Sequence, residues 1–192
     1  NEHLAYGLEY STVGGRLRRL EEACQVIQSL LKQDRSDFTG RFYNLQNAPL
    51  QPKPVQSRLP LLIGGGGEKV TLRIVAAHAD EWNVWGDVDV LKHKMSVLDQ
   101  HCTELGRDPA EISRSASVLV YFDDDKSGAI VPDKPLRFAR ISGNTERLRE
   151  IVAAYRDAGV DELIVPDFHL VSGMAKTDYM DRFIEEVASA AR

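Results

Sequence analysis

The apolar positions of this chain follow two alternating patterns, one with helical spacing and one continuous over short runs. Helical spacing over residues 16–32 predicts an amphipathic helix whose apolar face carries Leu17, Leu20, Cys24, Ile27 and Leu31. The same spacing predicts further helices at about 68–78, 88–105, 145–158 and 177–191, the third of them with Asn144 as its N-cap. Short apolar runs predict strands at 61–63, 80–85, 115–122 and 161–168.

The order of these elements predicts an α/β fold with a parallel sheet. After the first helix comes an excursion over about 34–60, with a hairpin that turns at Gly40 and a proline-rich extended stretch, and then a βα unit repeated four times. A doubly wound sheet and part of a (β/α)8 barrel both fit. A full barrel takes about 250 residues, so four βα units are half of one. We expect a single domain over residues 1–192.

Composition excludes several classes of partner. The 192 residues are 43% hydrophobic and 28% charged with a net charge of −5, so nucleic acid is not an expected partner. No apolar run approaches the roughly 20 residues that cross a membrane. Two cysteines without a CxxC motif predict core packing in a reducing, cytoplasmic setting, and the five histidines form no metal-binding pattern.

Four consecutive glycines, Gly64 to Gly67, follow the strand at 61–63 and precede a helix. A loop without side chains lets the backbone approach a ligand closely, and the N–H groups at a helix start suit a phosphate. Packing alone is the alternative explanation for such a turn. The run is neither a Walker A loop nor a G-x-G-x-x-G motif, because Lys69 is followed by valine and occupies the sixth position from Gly64.

Two further groups of residues follow predicted strands at the edge where parallel sheets place active sites. Trp82, Asn83 and Trp85 end the strand at 80–85, and either tryptophan is a candidate wall for a ring-shaped ligand or a buried packing residue. His169 follows the last strand and is a candidate for proton transfer, although an exposed loop histidine without catalytic duty is the favoured interpretation.

An ordered series of motifs resembles the bacterial-luciferase-like superfamily, and within it the oxidoreductases that use the deazaflavin coenzyme F-420. The series spans nearly the whole chain and consists of GGRLRRLEEA at 14–23, FTGRFY at 38–43, PKPVQ at 52–56, LPLLIGGGG at 59–67, AAHADEWN at 76–83 and AGVDELIV at 158–165. The resemblance implies a (β/α)8 TIM barrel of which this chain supplies about strands five to eight, the C-terminal half.

The resemblance also implies a cofactor site and an activity. In related enzymes a glycine-rich loop after the fifth strand contacts the coenzyme's phosphate through backbone N–H groups, which matches Gly64, Gly65, Gly66 and Gly67; Trp82 and Asn83 are the further cofactor-binding candidates. The implied activity is hydride transfer between F-420 and a small organic substrate. No catalytic residue is assigned beyond the candidate His169, because the family's first four strands carry most of the catalytic candidates.

Two alternatives stay open at this point. One is an FMN-dependent monooxygenase of the same fold, and the other is a non-catalytic half-barrel that self-associates. Because four βα units leave two open sheet edges, we expect either a homodimer or a missing N-terminal half of the same polypeptide to cover them. This chain alone is therefore not assigned as an enzyme, whereas the full-length protein is.

Overall fold

A computed structural model of the protein describes residues 2–124, 138–170 and 173–191. The sequence predicts a polar, proline-containing loop at 123–135, and most of it lies outside the described residues. The chain folds as two compact units, residues 1–61 and 62–192. That both belong to one domain stays a prediction. Within the described ranges, no helix has the length and apolar character needed to cross a bilayer.

The first unit is built on one long helix and one hairpin. Its elements are α1 (Glu2–Ala5), α2 (Val13–Lys32), β1 (Ser36–Thr39) and β2 (Asn44–Ala48). Helix α2 begins three residues before the predicted start, because the Thr12 side chain accepts a hydrogen bond from the Gly15 N–H at 3.1 Å and caps it. Strands β1 and β2 pair antiparallel, which confirms the predicted hairpin.

The turn of the hairpin is held by one carboxylate from α2. Glu22 accepts hydrogen bonds from the backbone N–H groups of Arg41, Phe42 and Tyr43 at 3.0, 2.8 and 3.3 Å. Gly40 passes so close that a Cβ there would lie 2.4 Å from a Glu22 carboxylate oxygen. Desolvation acts to raise the pKa of Glu22, but the three N–H donors and Arg41 outweigh it and hold the pKa below its usual value.

We expect Glu22→Gln to flatten the acid dependence of stability. A carboxyl whose pKa is lowered by folding stabilises the protein above its unfolded pKa of about 4.5, and this stabilisation is lost as the pH falls through the lower, folded value. Urea unfolding of the wild type should therefore shift to lower urea below about pH 4.5 more steeply than that of the variant. The neighbouring, exposed Glu21 provides the control: Glu21→Gln should keep the wild-type slope.

The second unit contains the predicted parallel sheet. Its four strands pair in the order β3 (Leu62–Gly64), β4 (Glu81–Trp85), β5 (Ser113–Ser117) and β8 (Glu162–Ile164). Every pair in this sheet is parallel. The connections include α3 (Thr71–His78) and α4 (Val88–Glu104), which confirms the alternation of strands and helices.

A second, smaller parallel pair corrects the predicted element boundaries. The single strand predicted at 115–122 is two strands in two sheets, because the ladder breaks at Val118 and resumes in β6 (Leu119–Phe122). Its partner β7 (Arg140–Gly143) was not predicted, since polar residues alternate with one isoleucine and leave no apolar run.

The helices of the C-terminal part lie where they were predicted, but the second half of the last one is not α-helical. Helix α5 (Thr145–Asp157) has the predicted Asn144 cap, whose side chain accepts from the Arg147 N–H at 2.9 Å. Helix α6 (Met174–Arg182) begins earlier than predicted and continues as a π turn at Phe183–Val187 and a 3-10 turn at Ala188–Ala191.

The two faces of the four-stranded sheet differ in burial. Along β4, Trp82 and Val84 are buried, whereas Glu81, Asn83 and Trp85 are partly exposed. The parallel register places Leu62 beside Glu81 and Gly64 beside Asn83, and Leu62 is exposed as well. One face of the sheet therefore belongs to the core, and the other face is partly open. The described strands do not close into a barrel.

Helix α3, which follows the glycines, is fixed at its C-terminal end by Arg107. The guanidinium donates to the carbonyl oxygens of Ala76 and Ala79 at 2.9 and 2.7 Å and also pairs with Glu111. Because the last carbonyls of a helix lack intrahelical partners, these bonds anchor the end of α3 and thereby the direction in which its N-terminus points.

Candidate functional site

The glycine loop begins at the C-terminal end of β3 and is tied to the next strand. The Gly65 N–H donates to the carbonyl oxygen of Asn83 at 2.9 Å. Gly65 has φ +127°, a conformation that residues with a Cβ rarely adopt. Helix α3 starts at Thr71, so the loop leads to the N-terminus of an eight-residue helix. The strand, bare loop and helix follow one another in the predicted order, but the helix begins three residues later than the predicted 68, because residues 68–70 form a turn.

The loop forms a cradle that side chains would fill. A Cβ at Gly66 would lie 3.1 Å from Cγ2 of Val84, and a Cβ at Gly67 would lie 2.7 Å from Oγ1 of Thr71. In the part of the chain that the structure describes, the N–H groups of Gly66 and Gly67 have no hydrogen-bond partner. Packing therefore explains the absence of side chains, while two donors beside a hydroxyl group remain available to an anion.

Trp82 supports this loop from within the core. Its indole N–H donates to the carbonyl oxygen of Gly65 at 2.8 Å, and the side chain is 1% exposed. Trp82 and Asn83 thus bind opposite polar groups of Gly65, since one holds its C=O and the other its N–H. Both predicted residues lie at the loop, but Trp82 positions the glycines and has no open face in this structure.

Asn83 also belongs to a polar network across two strands. Its side-chain N–H donates to Oγ of Ser115 at 3.0 Å, and the Ser117 hydroxyl donates to its side-chain oxygen at 3.2 Å. Ser115 donates in turn to the Trp82 carbonyl at 3.3 Å. Sequence reasoning missed both serines, although their period-two spacing in SRSAS marks one face of β5.

Aromatic rings gather where β4 ends. Trp85 lies 4.6 Å from Phe138 and 6.3 Å from Phe168, and the two phenylalanines are 5.6 Å apart, measured between ring centroids. Both phenylalanines are exposed and Trp85 is partly exposed. Of the two predicted tryptophans, Trp85 is therefore the one with surface left for a ligand.

Charged groups lie beside the glycine loop on its α3 and α4 side. The Glu68 carboxylate pairs with the ammonium group of Lys94, and His93 Nε2 lies 3.2 Å from the same carboxylate oxygen. The hydrogen bond from Lys94 is the main reason that the pKa of Glu68 is lowered. The stem of Lys94 runs past the loop, since its Cε would lie 3.7 Å from a Cβ at Gly66.

His169 is not the exposed loop histidine that was expected. It is 5% exposed, and its Nε2 lies 2.9 Å from the carbonyl oxygen of Val120 in β6. Because a carbonyl accepts, this nitrogen carries the proton and Nδ1 is left buried without a partner in the described structure. Tyr121 and Tyr179 pack around the ring at 4.7 and 6.3 Å. A role in proton transfer stays a prediction.

The cysteines and the metal-ligating residue types contribute no site. Cys24 and Cys102 are free and buried, and burial raises the pKa of both thiols, which confirms the predicted core packing. Over residues 2–124, 138–170 and 173–191, no group of three or more histidine, cysteine, aspartate or glutamate side chains is arranged to hold a metal ion.

Comparison with known proteins identifies one family by sequence and the same fold by structure. The family model of the luciferase-like monooxygenases matches residues 1–131. An F-420-dependent glucose-6-phosphate dehydrogenase of Kineococcus radiotolerans is 27% identical over 130 residues, which are 66% of this chain and 38% of that protein. The chain thus spans well under half the length of this relative.

Solved structures share the fold. An F-420-dependent secondary alcohol dehydrogenase matches with a TM-score of 0.75 at 19% identity, covering 96% of this chain and 64% of that one. A long-chain alkane monooxygenase matches with a TM-score of 0.70 at 14% identity, covering 94% and 57%. The predicted fold, part of a luciferase-like barrel, is confirmed.

Proposed function

Because the chain belongs to the luciferase-like monooxygenase family, we propose that it binds the phosphate of coenzyme F-420 at Gly64–Gly67. The protein that contains it would then transfer a hydride between this coenzyme and a small organic substrate. Relatives named as F-420-dependent dehydrogenases, one by sequence and one by structure, support this choice of coenzyme.

The observation that carries the proposal is the cradle at Gly66 and Gly67. Two backbone donors without partners precede the start of α3 by a short turn, and the positive end of a helix dipole favours an anion by about 0.3–1 kcal/mol. Each hydrogen bond to a charged phosphate would add about 1.5–3 kcal/mol. Thr71 Oγ1 lies at the same place and offers a third donor. The residues present therefore fit a phosphate group.

The remaining residues of the site have defined parts in this proposal. Trp82 and Asn83 hold Gly65 through its two polar groups, so that the cradle is formed before the coenzyme arrives. Trp85, two residues beyond Asn83 along β4, is about 6.6 Å further toward the C-terminal edge. With Phe138 and Phe168 it would form an apolar surface for the substrate or for the coenzyme ring. The bound coenzyme would supply the hydride chemistry.

An FMN-dependent monooxygenase is the second candidate. It is favoured by the structural match to the alkane monooxygenase, since that enzyme type has the same fold. The two candidates differ in the phosphate they require and in their dependence on oxygen.

A non-catalytic half-barrel is the third candidate, and it rests on the open sheet face. Leu62 is exposed and Trp85 partly exposed on that face, so the face offers apolar surface to another polypeptide segment. A second copy of the chain or the N-terminal half of a barrel would cover it. Light scattering of the purified protein separates a dimer from a monomer.

The proposal predicts saturable one-to-one binding of F-420 by the protein that contains this chain. Titration followed by F-420 absorbance and fluorescence measures it, with substrate-dependent reduction of bound F-420 as the second readout. Oxygen consumption that requires added FMN and a flavin reductase, without F-420 binding, would establish the monooxygenase instead. Binding of neither coenzyme, together with a stable dimer, would favour the non-catalytic module.

A further inference from the structure

Glu68 brings a negative charge to the Lys94 side chain that runs past the proposed phosphate cradle. It is the first residue after the four glycines, and its carboxylate pairs with the ammonium group of Lys94 from α4. Its backbone is fixed as well, because His101 Nε2 lies 2.8 Å from the Glu68 carbonyl oxygen. The Lys94 side chain is 20% exposed and that of Glu68 41% exposed, so both charges are only partly screened by water.

The Lys94 ammonium group is held by a side chain that runs past the cradle, and Glu68 already neutralises it. The stem of Lys94 runs along Gly66. His93 contacts the same carboxylate but is mostly exposed, and Lys69 is exposed too, so both contribute screened charge. The attraction that remains for an anion is that of the neutral donors and the helix dipole. These suffice for one negative charge, while a second charge meets little further attraction because Glu68 offsets the charge of Lys94.

We propose that the Glu68–Lys94 pair makes the glycine site selective for a singly charged phosphodiester over a doubly charged phosphomonoester. This inference rests on the proposed function, in which the glycines bind a coenzyme phosphate. It bears on the choice of coenzyme, because the phosphate of F-420 is a phosphodiester with one negative charge, whereas that of FMN is a phosphomonoester. A phosphomonoester carries about −1.5 to −2 charges at pH 7.

The test compares dissociation constants for three ligands: F-420, FMN and riboflavin, which lacks the phosphate. Glu68→Gln removes the negative charge and keeps the shape of the side chain. We expect this variant to bind FMN about tenfold more tightly, F-420 about threefold more tightly and riboflavin as the wild type does. Lys94→Met keeps the apolar stem, removes the positive charge and should weaken binding of both phosphate ligands.

Glu150→Gln is the control. Glu150 lies on α5, pairs with Arg147 and is 60% exposed. Its removal should leave all three dissociation constants unchanged. The free energy of unfolding of each variant, measured with urea, shows whether the loop has kept its structure.

The outcomes separate this inference from the proposed function. Glu68→Gln could lower the dissociation constants of F-420 and FMN by the same factor, or change that of riboflavin equally. Either result would mean that Glu68 acts on the structure of the loop and that the proposed charge selectivity is wrong. If Glu68→Gln weakens FMN binding, the inference is also wrong. If the wild type binds neither F-420 nor FMN, the proposed function fails and the inference falls with it.

Discussion

Gly67→Ala is expected to weaken F-420 binding by about 10- to 100-fold while the protein stays folded. The added methyl group would lie 2.7 Å from Oγ1 of Thr71 and so must displace that hydroxyl from the cradle. The loss of one charge-assisted hydrogen bond costs about 1.5–3 kcal/mol, and 1.4 kcal/mol corresponds to a factor of ten. Gly66→Ala should act in the same direction, because its methyl group would press on Val84 at 3.1 Å.

The control for this prediction is a glycine outside the site. Gly14→Ala in the first turn of α2 adds the same methyl group, whose nearest contact is the flexible end of Arg18 at 3.4 Å. It should leave the dissociation constant unchanged and stabilise the helix slightly. Isothermal titration with F-420 measures all three variants. Wild-type affinity for F-420 in both Gly66→Ala and Gly67→Ala would show that the phosphate does not bind at this loop.

Trp82→Ala is expected to lower the free energy of unfolding by about 3–5 kcal/mol, the usual cost of removing a large buried aromatic side chain. Trp82 is among the largest fully buried side chains of the chain. Trp82→Phe keeps most of the volume but leaves the Gly65 carbonyl without its donor, and should cost about 1–3 kcal/mol. Urea unfolding followed by circular dichroism measures both.

Trp85→Phe is the comparison that separates the two tryptophans. Trp85 is only partly buried, so its replacement should cost less than about 1 kcal/mol. We also expect Trp82→Phe to weaken F-420 binding through the loop it supports. Equal destabilisation by Trp82→Phe and Trp85→Phe would contradict the core position of Trp82.

The sequence predicted the parts of this structure that depend on local pattern. The helices at 13–32, 88–104 and 145–157 follow from apolar spacing and from side-chain caps such as Asn144. The glycine loop can be predicted directly from the four consecutive glycines in the sequence. Strand β7 was missed because its pairing with β6 is a tertiary contact, and its residues carry no apolar run.

The site was predicted less completely, for a physical reason. A run of glycines in the sequence indicates a site made by the backbone, but the side chains that hold it come from distant positions. Trp82 is 17 residues away from Gly65, and Ser115 is 32 residues away from Asn83. The burial of His169 was also missed, because the carbonyl of Val120 that it contacts is 49 residues away. Only the assembled sheet shows which side chains keep an open face, as Trp85 does, and which support the loop, as Trp82 does.

The most direct test of the phosphate site is an NMR titration of protein labelled with ¹⁵N at glycine. The chain has 14 glycines, so the amide signals can be assigned individually. On addition of F-420, we predict large saturable shifts of the Gly66 and Gly67 amides, with much smaller shifts of Gly14, Gly106 and Gly159. Binding of F-420 that leaves the Gly66 and Gly67 signals in place would contradict the account.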